Sequence, residues 1–145
     1  MKVLYTAEAT ATGDGRNGQV TSSDGLLDAA VRAPVELGGA GGATNPEQLF
    51  AAGYAACFHS ALRRVAGAAG ADVSGSQVTA RVGIGALRPG AFGLTVALDV
   101  SLPAVARADA EQLVAKAHQV CPYSNATRGN IDVALTVTEA SSAAA

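Results

Sequence analysis

Reactive side chains are few in this sequence, and four of them stand out by spacing. Cys57 and His59 lie two residues apart, and His118 and Cys121 lie three apart. Two cysteines with two histidines form a possible zinc set. Residues two apart on a helix, however, point in nearly opposite directions, and AAGYAACFHSALRRVAG, residues 51–67, reads as one continuous helix. Cys57 and His59 would share an ion only if that helix broke. His59 therefore reads as a rim residue and His118 as a helix-end residue, and no metal is expected. There is no CxxC, HExxH or GxSxG motif, and the glycine-rich GGAGGA lacks the Lys-Ser/Thr of a phosphate loop. Thiol chemistry is what remains. Cys57 sits on a rigid helix, whereas Cys121 precedes Pro122 at a helix end, on backbone that can move; an attacking and a resolving thiol need that division. A cysteine among alanine and glycine is also ordinary packing material. Residue types alone leave these two readings level.

Composition narrows the setting. The chain has 145 residues, a common size for one domain with a core of its own. Apolar residues make up 49% and charged ones 15%, which marks a globular chain. A formal charge of -2 with no basic run argues against nucleic acid or an anionic membrane as partner. The opening MKVLYTAEAT lacks a signal-peptide pattern, and no apolar run approaches a membrane span. The expected location is the cytoplasm, where two cysteines rest as thiols.

The elements that must hold these residues follow from periodicity. VLYTAEATATG predicts a first strand, and GDGRNG a turn. QVTSSDGLLDAAV predicts two short strands about Asp24-Gly25. After the glycine-rich loop PVELGGAGGA comes TNPEQLF, with Asn45 as N-cap, Pro46 in the first helical position and Gln48 completing a capping box. That helix is expected to run to Gly67 or Gly70. SQVTARVGIGAL and FGLTVALDVSL predict two strands joined at RPGA. A second helix follows from Asp109 to about Val120, with Leu113, Val114 and Ala117 on one face. CPYSNATRGN reads as turn, since Pro122 disfavours helix at Cys121. IDVALTVTE reads as a last strand. The order gives an α+β class, with one domain over residues 1–140 and a frayed tail at 141–145. From Leu49 to Phe58 the first helix is apolar on every side and so must be buried on every side. A partner chain is the simplest cover.

Two longer stretches carry a family resemblance. TNPEQLFAAGYAACF, residues 44–58, and HQVCPYSNATRGNIDV, residues 118–133, closely resemble the Ohr branch of the OsmC/Ohr family of thiol peroxidases. GRNGQVTSSDGLLD and PVELGGAGGA are similar to the same branch, so the resemblance covers nearly the whole chain. It implies an intertwined homodimer in which long central helices pack with antiparallel β-sheets. It also implies reduction of organic hydroperoxides, with Cys57 as the peroxidatic cysteine and Cys121 as the resolving one. Arg16 matches the active-site arginine, and Glu47 the glutamate that holds it. No cofactor is implied. The implied partners are a hydroperoxide substrate and a dithiol reductant, usually a lipoylated protein.

Physical chemistry bears on those implied roles. Burial raises a thiol pKa above about 8.5, so a buried nucleophilic cysteine needs a nearby permanent cation. Arginine suits this because it stays charged when desolvated. Glu47 and Cys57, ten residues apart on one helix, are separated by about 15 Å of rise. A site containing both would therefore draw on two chains. Leu49, Phe50, Tyr54 and Phe58 are expected to offer apolar surface for substrate. The alternative reading is a redox-sensing or ligand-binding module that uses the same disulfide as a switch.

Overall fold

The computed structural model describes residues 1–139, so the expected tail at 141–145 lies outside the described residues. In chain order the elements are β1 (Ala9–Gly13), β2 (Asn17–Ser22), β3 (Asp28–Arg32), a 3-10 turn at Val35–Leu37, α1 (Pro46–Ala68), β4 (Gln77–Arg88), β5 (Ala91–Ser101), α2 (Arg107–Val120), α3 (Pro122–Thr127) and β6 (Val133–Thr138). The class is α+β, as expected. The residues fall into two compact units, Met1–Leu49 and Phe50 onward.

The first unit is an antiparallel meander in the order β1-β2-β3. Asp14 and Asn17 close its first turn by exchanging backbone hydrogen bonds of 3.2 and 3.3 Å, and Arg16 stands on that turn. In the second turn Gly25 takes a φ of 74°, while Asp24 Oδ1 accepts from the Leu26 amide at 3.0 Å. The first strand is shorter than its sequence pattern predicts. β2 ends at Ser22, opposite Ala9, and the apolar residues further upstream have no ladder partner among the described residues. Val3, Leu4 and Tyr5 are accordingly exposed. Only Val31 and Asn45 of this unit are buried.

The N-terminus of α1 shows why its sequence stops the preceding loop. Asn45 Oδ1 accepts the Gln48 amide at 2.9 Å, and Pro46 occupies the first helical position. The expected capping box forms by half. Instead of returning to Asn45, the Gln48 side chain accepts from the Thr44 hydroxyl at 2.9 Å.

In the second unit, α1 buries Tyr54, Phe58, Ala61, Leu62 and Ala66, a stripe at helical spacing. This stripe meets Val96, Leu98 and Val100 of β5, and Ala110, Leu113, Val114 and Ala117 of α2, in one hydrophobic cluster. Each fully buried large side chain contributes about 1.5–3 kcal/mol. Leu62→Ala would remove a central piece of it. The opposite side of α1 is uncovered among the described residues: Ala52, Ala56 and Ser60 are exposed. β4 and β5 pair antiparallel, whereas β6 joins β5 in parallel. The sheet is thus mixed, not purely antiparallel, because β6 returns through the α2–α3 crossover that a parallel neighbour requires.

Candidate active site

Four residues expected to carry chemistry form two pairs. In the first unit, Arg16 clamps Glu47 with two parallel hydrogen bonds, Nη1 to Oε2 at 2.8 Å and Nη2 to Oε1 at 2.7 Å. The β1–β2 turn presents the guanidinium, and the second helical position of α1 presents the carboxylate, where a negative charge also suits the helix dipole. The Arg16 bonds hold the Glu47 carboxyl below its ordinary range, against the opposing effect of burial. Reciprocally, Glu47 raises Arg16. The side chains are 42% and 12% exposed, so the arginine stays open to solvent on one side while it is held on the other.

In the second unit, Cys121 Sγ lies 3.7 Å from Cys57 Sγ. Both are free thiols; Cys57 is half-buried and Cys121 fully buried. Cys121 differs from its expected mobility. Its amide donates to Ala117 and its carbonyl accepts from Asn125, both at 2.9 Å, so its backbone is held on both sides. Its φ of -66° and ψ of 124° are extended, as a residue before proline requires. Pro122, however, does not begin a turn. It opens the short helix α3 from the first position, where the missing N–H costs nothing.

Burial is the main influence on the Cys57 thiol and pushes its pKa up; the neighbouring Cys121 thiol acts in the same direction. The Tyr123 amide, hydrogen-bonded to the Cys57 sulfur, pulls it down. Nothing in the local sequence pattern singles out Tyr123. Its ring packs 5.5 Å from that of Tyr54 and 6.2 Å from that of Phe50. A Cβ on Gly53 would come within 2.9 Å of the Tyr123 hydroxyl and 3.2 Å of a ring carbon, so glycine leaves space for this ring on α1.

Tyr54 and Phe58, expected to line a substrate surface, are fully buried core residues. Phe50 is only partly buried and packs at the edge of the cluster, and Tyr123 is 39% exposed. The Tyr54 hydroxyl lies 2.9 Å from Ser124 Oγ and 3.1 Å from Thr127 Oγ1. His118 Nδ1 lies 2.8 Å from the same Ser124 oxygen. His59 Nε2 pairs with Ser76 Oγ at 2.8 Å. Burial lowers both histidines, with Arg63 adding to the effect at His59 and Arg128 at His118. Among the described residues, no three His, Cys, Asp or Glu side chains gather as a metal set. No helix there is long and apolar enough to cross a membrane. A surface hollow of about 380 Å³, bordered by Ala71, Asp72, Val105, Asp109 and Lys116, includes neither cysteine.

Comparison with known proteins converges on one group. The family profile for OsmC-like proteins matches residues 38–136. An organic hydroperoxide resistance protein of Xanthomonas axonopodis pv. citri is 59% identical over 94% of this chain and 96% of its own length. Organic hydroperoxide resistance protein OhrB of Bacillus subtilis is 45% identical over 91% of this chain and 96% of its own. Among solved structures, an organic hydroperoxide resistance protein of Legionella pneumophila superposes with a TM-score of 0.90 at 54% identity, covering 94% of this chain and 99% of that one.

Proposed function

From the premise that this chain belongs to the OsmC-like family, with relatives named for organic hydroperoxide resistance, we propose that it is a thiol peroxidase that reduces organic hydroperoxides. The Cys57 thiolate attacks the terminal peroxide oxygen, the O–O bond breaks, and the alkoxide leaves as the alcohol after taking up a proton. Cys57 becomes a sulfenic acid. The Cys121 sulfur then attacks it, forming the Cys57–Cys121 disulfide and releasing water. A dithiol, in this reading a lipoyl group, restores both thiols by exchange.

The observation that carries the reading is the 3.7 Å sulfur–sulfur contact between a half-buried cysteine and a fully buried one. The reachable thiol is the one that must meet substrate, and its partner is within reach of the next bond. Phe50 and Tyr123 supply apolar surface nearby, and each buried methylene of a substrate contributes roughly 0.8 kcal/mol. Hydrogen peroxide gains nothing from such contacts, which favours alkyl and fatty-acid hydroperoxides.

The thiolate also needs a cation, and we assign that role to Arg16, aimed by Glu47 and supplied by a second copy of the chain. Ten residues of α1 separate Glu47 from Cys57, a rise of about 15 Å. A homodimer is further supported by the exposed Ala52-Ala56-Ser60 face and by a three-stranded first sheet with almost nothing buried of its own. Arg16 would lower the Cys57 pKa and donate hydrogen bonds to the oxygen on which charge develops.

Steady-state consumption of an alkyl hydroperoxide with a lipoyl dithiol tests the reading. Many equivalents per chain are expected, and far fewer with hydrogen peroxide. Consumption that stops at one equivalent would instead make the disulfide a sensor's switch. For the shared site, Cys57→Ser and Arg16→Ala chains refolded together should recover activity that neither has alone.

A further inference from the structure

Tyr54, Ser124, Thr127 and His118 form a polar chain inside an otherwise apolar core, and the peroxide chemistry above gives none of them a task. Three helices contribute: Tyr54 from α1, His118 from α2, and Ser124 with Thr127 from α3. The direction of its hydrogen bonds can be worked out. The Thr127 hydroxyl donates to the Ser124 carbonyl at 3.2 Å, so toward Tyr54 it accepts. Tyr54 therefore donates to Thr127 and accepts from the Ser124 hydroxyl, which in turn accepts from His118 Nδ1–H. Tyr54 sits in the middle, with both its donor and its acceptor used. Tyr54 and Ser124 are fully shielded from water and Thr127 nearly so, where such bonds hold position strongly.

The location of this chain of bonds matters more than its existence. Tyr54 lies one helical turn before Cys57 on the same side of α1. Ser124 lies one turn after Cys121, whose carbonyl is itself bonded to α3 through the Asn125 amide. The hydroxyl of Tyr54 thus ties the helix carrying one thiol to the short helix that starts at the other.

We propose that Tyr54 is a positioning residue for disulfide formation: its hydroxyl keeps α3, and with it Cys121, docked against Cys57 while the sulfenic acid waits. This rests on the peroxidase reading and assigns to Tyr54 the choice between two fates of that acid. In one, the Cys121 sulfur displaces the sulfenic oxygen, an S–S bond replaces the S–O bond, and the thiol proton leaves with the hydroxyl as water. In the other, a second hydroperoxide oxidises Cys57 to the sulfinic acid and is itself reduced to an alcohol. A docked Cys121 wins the first competition, and a loosened one loses it.

The test is mass spectrometry of the full-length protein after graded additions of an alkyl hydroperoxide without reductant, read as the ratio of disulfide to Cys57 sulfinic acid. Both products come from one sulfenic acid, so the ratio does not depend on how fast that acid forms. Tyr54→Phe keeps the ring, and leaves Ser124 accepting from His118 and Thr127 donating to the Ser124 carbonyl, so each buried oxygen keeps a partner and only the Ser124 hydroxyl proton loses its acceptor. Its ratio is expected to fall roughly five- to tenfold, the worth of about one net hydrogen bond. Thr127→Val should lower the ratio in the same direction, and Thr127→Ser, which keeps the hydroxyl, should retain the wild-type value. An unchanged ratio in Tyr54→Phe, or an equal fall in Thr127→Ser and Thr127→Val, overturns the inference and leaves the peroxidase reading standing. If the wild type forms no Cys57–Cys121 disulfide at all, the peroxidase reading falls and takes this inference with it.

Discussion

The two pairs of reactive residues are built on opposite principles. Arg16 and Glu47 are ionised, joined by two directed hydrogen bonds, and set in a unit where only Val31 and Asn45 are buried. Cys57 and Cys121 are thiols with a single sulfur contact at 3.7 Å, set against a dense apolar cluster. A bidentate ion pair carries its own geometry and can do so at a wet edge. A thiol pair has only weak, poorly directed interactions, so packing and the backbone bonds of Cys121 must fix it. The difference shows what each region lacks. The sulfur is held but pushed toward its neutral form by burial, and the guanidinium is charged and aimed but has little core beneath it. Joining the two through a second chain would supply both deficits.

Deleting the nucleophile is the most severe way to break this comparison. Cys57→Ser should abolish turnover, whereas Cys121→Ser should complete one reduction per chain and then accumulate oxidised Cys57, visible by mass spectrometry. Normal turnover in Cys57→Ser would remove the sulfur pair from the chemistry. A smaller but still large effect is expected from the charged pair. Arg16→Ala should raise the apparent pKa of Cys57 by about 1–3 units, read from alkylation rate against pH. The same variant should cost less than about 1 kcal/mol of stability, because the Arg16 side chain is 42% exposed. An unmoved titration would leave the two pairs chemically unrelated.

How legible these regions were in the sequence follows the same division. Features set by neighbours in sequence came through: the Asn45 cap, Pro46, the β4–β5 hairpin, and the Leu113-Val114-Ala117 face of α2. Features set by a distant partner did not come from local pattern: the Arg16–Glu47 and Cys57–Cys121 contacts were expected only through the family resemblance. The alternation from Val3 is strand-like, yet a strand is defined by the ladder it joins, and the first ladder begins at Ala9. The parallel direction of β6 is likewise absent from its own periodicity, although the long α2–α3 connection is a usable sign of a crossover. Pro122 was ambiguous because proline both ends a helix and begins one. The buried hydroxyl chain had a faint signal: a tyrosine on an apolar helix needs a hydroxyl partner, and Ser124 and Thr127, three apart, share one helical face. Sequence pattern alone places Tyr54 equally well on a substrate surface, since amphipathic residues give no sign of which end meets water.

The smallest effect expected is on the pH dependence of the charged pair, and its sign follows from Glu47. The Arg16 hydrogen bonds hold the folded carboxyl below its ordinary range, and burial opposes them without winning. In the unfolded chain the same carboxyl titrates near 4.3. Above that pH both states are ionised, and the pair's full contribution to stability is present. As pH falls through the folded value, the unfolded state has already bound its proton and the folded state must follow, so the contribution is lost. Denaturant titrations from about pH 7 down through the carboxylate range should therefore show the wild type losing stability, by up to about 1 kcal/mol, since the Arg16 side of the pair is open to solvent. Glu47→Gln cannot titrate there and should lack that part of the decline, while its Cys57–Cys121 contact stays intact. An identical acid profile in wild type and Glu47→Gln would mean that the Arg16 clamp contributes geometry at neutral pH but no measurable stability to the folded chain.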